Sequence, residues 1–302
     1  MNKISFHKIT ENWLFTKNAT KRGYIQPAEL RELWFHTGSK CNLHCPFCFE
    51  QSSPTSKRID RLSFKIAKEY IDSSMKLGVK KFCFTGGEPF TNHEIIKILS
   101  YALKYRPCLI LTNGTTPLHK NFDNIIRLRD KVNLLSFRIS IDSVNKEQHD
   151  KHRGSGSFDK AIASLEFLSK HNVNTDIAVY IEDTKNLAQK EYNFNLLLNS
   201  LKIGLRTKLS FFQDLNHQTN IEISEDCMSK YCSADQRANF MCSYIKMVTV
   251  QKSIPVIYPC TLVDDDPDYE LNCCLKESLS YRIMLKNKRC YTCFSRGVSC
   301  SG

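Results

Sequence analysis

Between Leu30 and Phe212, short apolar or β-branched runs alternate with stretches whose apolar residues recur every three or four positions. That alternation predicts strand–helix units and an α/β fold with a parallel sheet. The runs Leu33 to Thr37, Lys81 to Thr85, Cys108 to Thr112, Leu134 to Ile141, Thr175 to Ile181 and Arg206 to Phe212 offer six strands. Between them, Ile66, Tyr70, Ile71 and Met75, and then Phe158, Ala161, Ile162, Leu165 and Leu168, repeat at helical spacing. Ser63 is a candidate N-cap for the first helix, and Thr91 with Glu94 has capping-box spacing for a helix after Pro89. In parallel α/β folds, ligands bind at the C-terminal ends of the strands, so those positions are where site residues are expected.

After about Leu215 the pattern changes to a polar stretch, a predicted hairpin (Tyr244 to Val250 and Pro255 to Pro259), an acidic turn and a Cys-rich tail. The chain therefore divides into an N-terminal extension at 1–29, an α/β domain at 30–215 and a small hairpin and helix module at 216–302. Its 302 residues, 41% hydrophobic and 25% charged, suit ordinary globular cores rather than disorder. The formal charge of +12 is spread along the sequence, which argues for a solvated basic surface and against a nucleic-acid face, while leaving room for an anionic or peptide substrate. No apolar stretch is long enough to span a bilayer, and no membrane association is expected. With no signal peptide at the N-terminus, the 14 cysteines point to the reducing cytoplasm, as thiolate ligands or free thiols.

Cys41, Cys45 and Cys48 fall directly after the first predicted strand. Three thiolates this close can hold three irons of a four-iron cluster and leave the fourth iron open to a small molecule. A closed zinc site would need a fourth ligand such as His44, but His44 adjoins Cys45 and the two would struggle to face one ion. Cysteines so close also leave little chain for a relaxed disulfide. Phe47 would lie beside a ligand on the open iron and could stack on a purine, or it could simply pack in a core. Thr85-Gly86-Gly87-Glu88-Pro89 ends the second strand; two glycines allow close backbone approach and Pro89 stiffens the exit, although a double glycine alone is commonly a turn.

Cys-x3-Cys-x2-Cys with an aromatic before its third cysteine, followed by Gly-Gly-Glu-Pro at the end of the next strand, resembles the radical SAM superfamily. The resemblance covers about Leu30 to Phe212. It implies a partial (βα)6, TIM-like barrel holding a 4Fe-4S cluster whose open iron chelates S-adenosylmethionine, which is reductively cleaved to a 5′-deoxyadenosyl radical that abstracts a substrate hydrogen. It implies contacts to that cofactor from Phe47, Gly86, Gly87, Glu88, Pro89, Asn113, Ser140, Asp142 and Arg153, and an electron donor such as flavodoxin or ferredoxin. Each later position also has a plain reading: Asn113-Gly114 as a turn, Asp142 as a helix cap, Arg153 as a surface ion pair.

Cys242 and Cys260 flank the predicted hairpin, and Cys290 and Cys293 follow after one helix. This is similar to the twitch and SPASM modules of radical SAM enzymes, in which four thiolates ligate one auxiliary 4Fe-4S cluster; Cys300 is a fifth candidate. With two residues after Cys300, the shorter one-cluster form is expected. Such a cluster would aid oxidation or bind the substrate, a peptide or small metabolite. A nucleotide-rearranging enzyme related to molybdopterin synthesis, and a zinc-stabilised RNA-binding protein built on the same cysteines, remain open. No catalytic acid, base or hydrogen donor is assigned by the sequence.

Overall fold

Ten strands form among the described residues: β1 (Tyr24–Ile25), β2 (Glu32–His36), β3 (Lys81–Thr85), β4 (Cys108–Thr112), β5 (Leu135–Ser140), β6 (Asn174–Ile181), β7 (Leu209–Gln213), β8 (Ile245–Gln251), β9 (Ile254–Tyr258) and β10 (Ile283–Met284). The computed structural model describes all residues except 1–10, 129–133, 182–185, 204–206, 214–219, 272–273 and 297–302. The chain separates into two units: Phe35–Lys68 with Lys81–Asp214, and Met1–Trp34 with Glu69–Lys80 and Leu215–Gly302. The six expected strands correspond to β2 through β7; the start of the last, at Arg206, lies outside the described residues.

In the Phe35–Lys68/Lys81–Asp214 unit, β3 to β7 pair in parallel, with neighbours in the order β7-β6-β5-β4-β3. The register sets Phe82 opposite Cys108, Ile110 opposite Phe137 and Ile139 opposite Ile177. These apolar side chains are fully buried, each worth roughly 1.5–3 kcal/mol when removed from water. The helix Ser157–Lys170 buries Ala161, Leu165 and Leu168, the face its period predicts. Along β6 the pattern has period two: Thr175, Ile177, Val179 and Ile181 are buried while Asp176, Ala178 and Tyr180 are half-buried. Tyr180 therefore belongs to a different face from the packed one.

Helix entry matches expectation at one place and departs at another. The Ser63 hydroxyl accepts from Ile66 N at 3.3 Å, as an N-cap should. Thr91 and Glu94 form no capping box: residues Pro89–Thr91 make a 3₁₀ turn, and the helix Ile95–Ala102 starts after Glu94 without a side-chain cap bond. Thr91 Oγ1 donates to Glu88 O, and the Glu94 carboxylate accepts from Phe64 N at 3.1 Å. A backbone donor at the start of another helix has won the carboxylate.

In the other unit, β8 and β9 form the predicted antiparallel hairpin, with Gln251 opposite Ile254. Lys252 and Ser253 span the turn with φ of 49° and 64°. Two positive φ values are what a two-residue hairpin of this twist requires, at roughly 1–2 kcal/mol for each non-glycine residue. β1 pairs antiparallel with β10. Tyr269 is buried, with its ring edge-on to Trp13 at 5.1 Å; its hydroxyl donates to Met284 O and accepts from Lys286 N and Asn287 N. That hydroxyl shapes the approach to the helix Lys288–Arg296.

Candidate active site

The cysteine triplet occupies the segment between the end of β2 and the first helix of its unit, with Cys41 buried and Cys45 and Cys48 half-buried. Both flanks are tied down. His36 Nδ1 accepts from Gly38 N at 3.2 Å, which leaves the proton on Nε2 to donate to Glu50 at 3.1 Å, and Arg58 pairs with the same carboxylate. The sequence reading missed this clamp, because a His, a Glu and an Arg spaced by 14 and 8 residues make no local pattern.

Gly86 and Gly87 have a structural task of their own. Gly86 has φ +142°, and a Cβ there would sit 2.8 Å from Gly38 O; one on Gly87 would sit 2.3 Å from Lys40 O. The two strand-end segments are joined by Gly87 N to Gly38 O (2.9 Å), Glu88 N to Lys40 O (3.0 Å) and Thr91 Oγ1 to Lys40 O (3.2 Å). The glycines bring backbone against the residue just before Cys41, so the close approach lies between two chain segments. Pro89 is buried at the first position of the 3₁₀ turn.

Glu88 is buried and accepts from Thr112 Oγ1 (2.8 Å), Asn113 N (2.8 Å) and Phe90 N (3.2 Å). Burial pushes its carboxyl up to about 7, against the three donors that favour the charged form. Glu88 thereby fixes the start of the Asn113 turn. Asn113 Nδ2 donates to Asn42 Oδ1 at 3.0 Å and lies 3.6 Å from Cys41 Sγ, while its Oδ1 accepts from Thr115. Leu43 N and Ser52 N donate to Cys41 Sγ (3.4 Å) and Cys48 Sγ (3.5 Å). Donors aimed at sulfur stabilise thiolates and tune any metal they hold.

The other half of the site is built around Asp142. Its carboxylate takes a bidentate bond from Arg153 (Nε 2.6 Å, Nη2 2.9 Å) and accepts from Tyr180 N at 3.1 Å. Asp142 N donates to His149 Nδ1, and burial followed by the Arg153 charge lowers His149 to about 4, so that imidazole stays neutral. Neither a helix cap nor a surface pair describes this arrangement: Asp142's side chain is 0% exposed and Arg153's 13%. Phe47 stacks on Tyr180 with centroids 4.1 Å apart and planes at 13°, His152 meets it edge-on, and the Arg153 guanidinium lies 5.4 Å from its centroid. Period-two alternation along the fifth expected strand, Thr175 to Ile181, could have pointed to Tyr180. Ser140 is half-buried at the end of β5, and His44 is exposed.

The donor set suits a cationic iron cluster. Burial pushes Cys41 up to about 12, with the Leu43 N–H opposing and Glu88, Cys45 and Cys48 adding; burial also raises Cys45, Arg153 opposing. The three sulfurs thus lie within electrostatic reach of one another, and a positive metal core relieves the repulsion among their thiolates. Beside these sulfurs sits the guanidinium of the half-buried Arg153, a group suited to an anion.

The second unit gathers four thiols from distant sequence positions. Cys242 lies in the helix Met241–Tyr244, Cys260 just after β9, and Cys290 and Cys293 one turn apart on Lys288–Arg296, on the helix rather than beyond it. Burial holds Cys242 well above the usual thiol range, and Cys260, Cys293 and Cys290 each add to the rise. Burial also pushes Cys290 up to about 12, against a contact from the Tyr269 hydroxyl at 3.9 Å. Cys300 lies outside the described residues. No disulfide joins the described cysteines, and no described helix is long and apolar enough to cross a membrane.

The profile of the radical SAM superfamily matches residues 36–186, half of the chain, and the chain belongs to that superfamily, whose enzymes use a 4Fe-4S cluster and S-adenosylmethionine. Over 149 residues it is 32% identical to the antilisterial bacteriocin subtilosin biosynthesis protein AlbA of Bacillus subtilis, covering 49% of this chain and 32% of that protein. The chain spans between about a third and about half the length of the curated relatives it matches. Among solved structures the fold is similar to Streptococcus suis SuiB bound to S-adenosylmethionine (TM-score 0.60, 14% identity, 80% of this chain and 63% of that one). It is equally similar to native anSMEcpe with bound AdoMet (TM-score 0.60, 18% identity, 85% of this chain and 81% of that one). Both proteins are also known with peptides, SuiB with its precursor peptide SuiA and anSMEcpe with the Kp18Cys peptide, at TM-scores of 0.59 and 0.58.

Proposed function

We propose that this chain is a peptide-modifying radical SAM oxidoreductase, with a partial (βα)6 barrel over 30–215 and a twitch-like module over 216–302. In this reading Cys41, Cys45 and Cys48 hold a 4Fe-4S cluster with one open iron, and Cys242, Cys260, Cys290 and Cys293 hold an auxiliary one. When bound and reduced, the first cluster would pass one electron to S-adenosylmethionine, breaking its sulfonium C–S bond to give methionine and a 5′-deoxyadenosyl radical. The chain's own residues bind and orient. Leu43 N, Ser52 N and Asn113 Nδ2 stabilise the thiolates; Arg153, locked by Asp142, presents positive charge to the methionine carboxylate; Phe47 and Tyr180 offer rings to the adenine.

The observation that carries the reading is the Cys41–Cys48 loop: three thiols within electrostatic reach of one another, braced by Gly87, Glu88 and Asn113, beside the half-buried Arg153. Peptide as substrate class is supported by the peptides bound to SuiB and anSMEcpe, and by this chain's net charge of +12. A flavodoxin or ferredoxin would supply the electron, in a reducing cytoplasm. Anaerobically reconstituted protein should carry about eight irons per chain, from two four-iron clusters. With reductant it should form 5′-deoxyadenosine, and a deuterated peptide encoded beside its gene should pass deuterium into that product. Zinc in place of iron contradicts the enzyme reading; deuterium transfer from a small metabolite alone contradicts the peptide.

A further inference from the structure

Lys246, the second residue of β8, is 0% exposed and ranks among the largest fully buried side chains of the protein. An ammonium in a low-dielectric interior is costly unless hydrogen-bonded and electrically compensated. Its Nζ donates to Ile245 O at 2.9 Å and lies 3.5 Å from Cys242 O, the carbonyl of one of the four clustered cysteines. Its neighbours on the same face of the strand, Val248 and Val250, are buried aliphatics, and packing alone would be satisfied by another. Placing a cation there sets a positive charge four residues along the chain from Cys242, against that residue's own carbonyl. Four thiolates bring more negative charge than a four-iron core cancels, and the reduced state adds one more. Net charge and neighbouring charges set the potentials of such centres.

We propose that Lys246 is the fixed counter-charge of the four-cysteine centre and holds its reduction potential up, so that the reduced state is accessible at the enzyme's working potential. This rests on the reading that Cys242, Cys260, Cys290 and Cys293 ligate a cluster. It makes Lys246 a positioning residue for electrons rather than a catalytic one.

The test is an EPR-monitored redox titration of the anaerobically reconstituted full chain, following the signal that S-adenosylmethionine does not perturb. In Lys246→Met the reduced-to-oxidised ratio at a fixed potential should fall about tenfold, which is a negative shift of about 59 mV for a one-electron couple. Lys246→Gln keeps a donor for the two carbonyls but removes the charge, and should shift the same way if the Met variant folds poorly. Lys246→Arg keeps the charge and should titrate close to the native chain. The SAM-responsive signal should stay put in all three. A neutral variant with native iron content and an unmoved titration overturns the proposal, as does an Arg variant that shifts as far as the neutral ones. Native protein with only about four irons, all lost when Cys45 is replaced, overturns the reading of the four-cysteine centre itself and is distinguished by that count.

Discussion

The two cysteine groups of this protein differ in how they are assembled. Cys41, Cys45 and Cys48 share one loop, two of them are half-buried, and polar donors and Arg153 surround them. Cys242, Cys260, Cys290 and Cys293 come from a short helix, a strand end and a second helix; three are buried, and Lys246 stands beside them. Three ligands on an accessible loop leave a coordination place for a small molecule, whereas four enclosed ligands saturate a cluster. On the proposed reading, chemistry belongs to the first group and electron handling or structure to the second.

The largest effect should come from breaking the first group alone. Cys45→Ala should lower 5′-deoxyadenosine formation by at least about a thousandfold while leaving roughly four irons on the second group; product is read by mass spectrometry and metal by elemental analysis. An equal loss of iron from both groups would show that they are not independent.

Gly87→Ala perturbs the first group from a residue whose hydrogen offers no ligand. A Cβ only 2.3 Å from Lys40 O must push the cysteine loop away, so about half the iron should be lost with the fold retained. Full iron loading with normal turnover would mean the loop tolerates the displacement.

Asp142→Asn leaves the Arg153 guanidinium without its bidentate acid. Uncoupling a buried pair of this kind should cost about 3–5 kcal/mol in a urea titration and weaken S-adenosylmethionine binding in parallel. Unchanged stability would place that pair among the exposed and weak ones.

The smallest effect is a slope with pH in the metal-free chain. Glu88 has its folded pKa raised from an ordinary 4.5 to about 7, so folding favours its protonated form. That contribution is complete below about pH 4.5 and is lost as pH rises through about 7, up to about 3 kcal/mol. Glu88→Gln should remove that loss: whatever its stability at pH 5, the difference from the native chain should move in its favour by pH 8. A native chain whose stability shows no such component would contradict the burial argument.

What the sequence made legible follows the range of the interactions. The six strands and the hairpin were readable because hydrophobic periodicity is local, and the triplet because its cysteines sit within eight residues. Ser63 was readable as a cap for the same reason, whereas Thr91 and Glu94 were misread because distant backbone groups, Lys40 O and Phe64 N, compete for their side chains. Asp142 and Arg153 were singled out separately, but their pairing depends on how a turn and a helix fold back on each other. The His36–Glu50–Arg58 clamp, the Phe47–Tyr180 stack and the buried Lys246 join residues that carry no mutual spacing signal. A lysine in a strand reads as surface until its burial is seen.

On the proposed reading, the loop of Cys41, Cys45 and Cys48 leaves one coordination position for S-adenosylmethionine. Electron–nuclear double resonance on the reduced protein, loaded with cofactor carrying a 15N label on its amino group, addresses that position directly. A nitrogen hyperfine coupling that disappears in Cys45→Ala is expected; a cluster signal indifferent to the label, or one coupled to a fourth protein ligand, would rule out that open position.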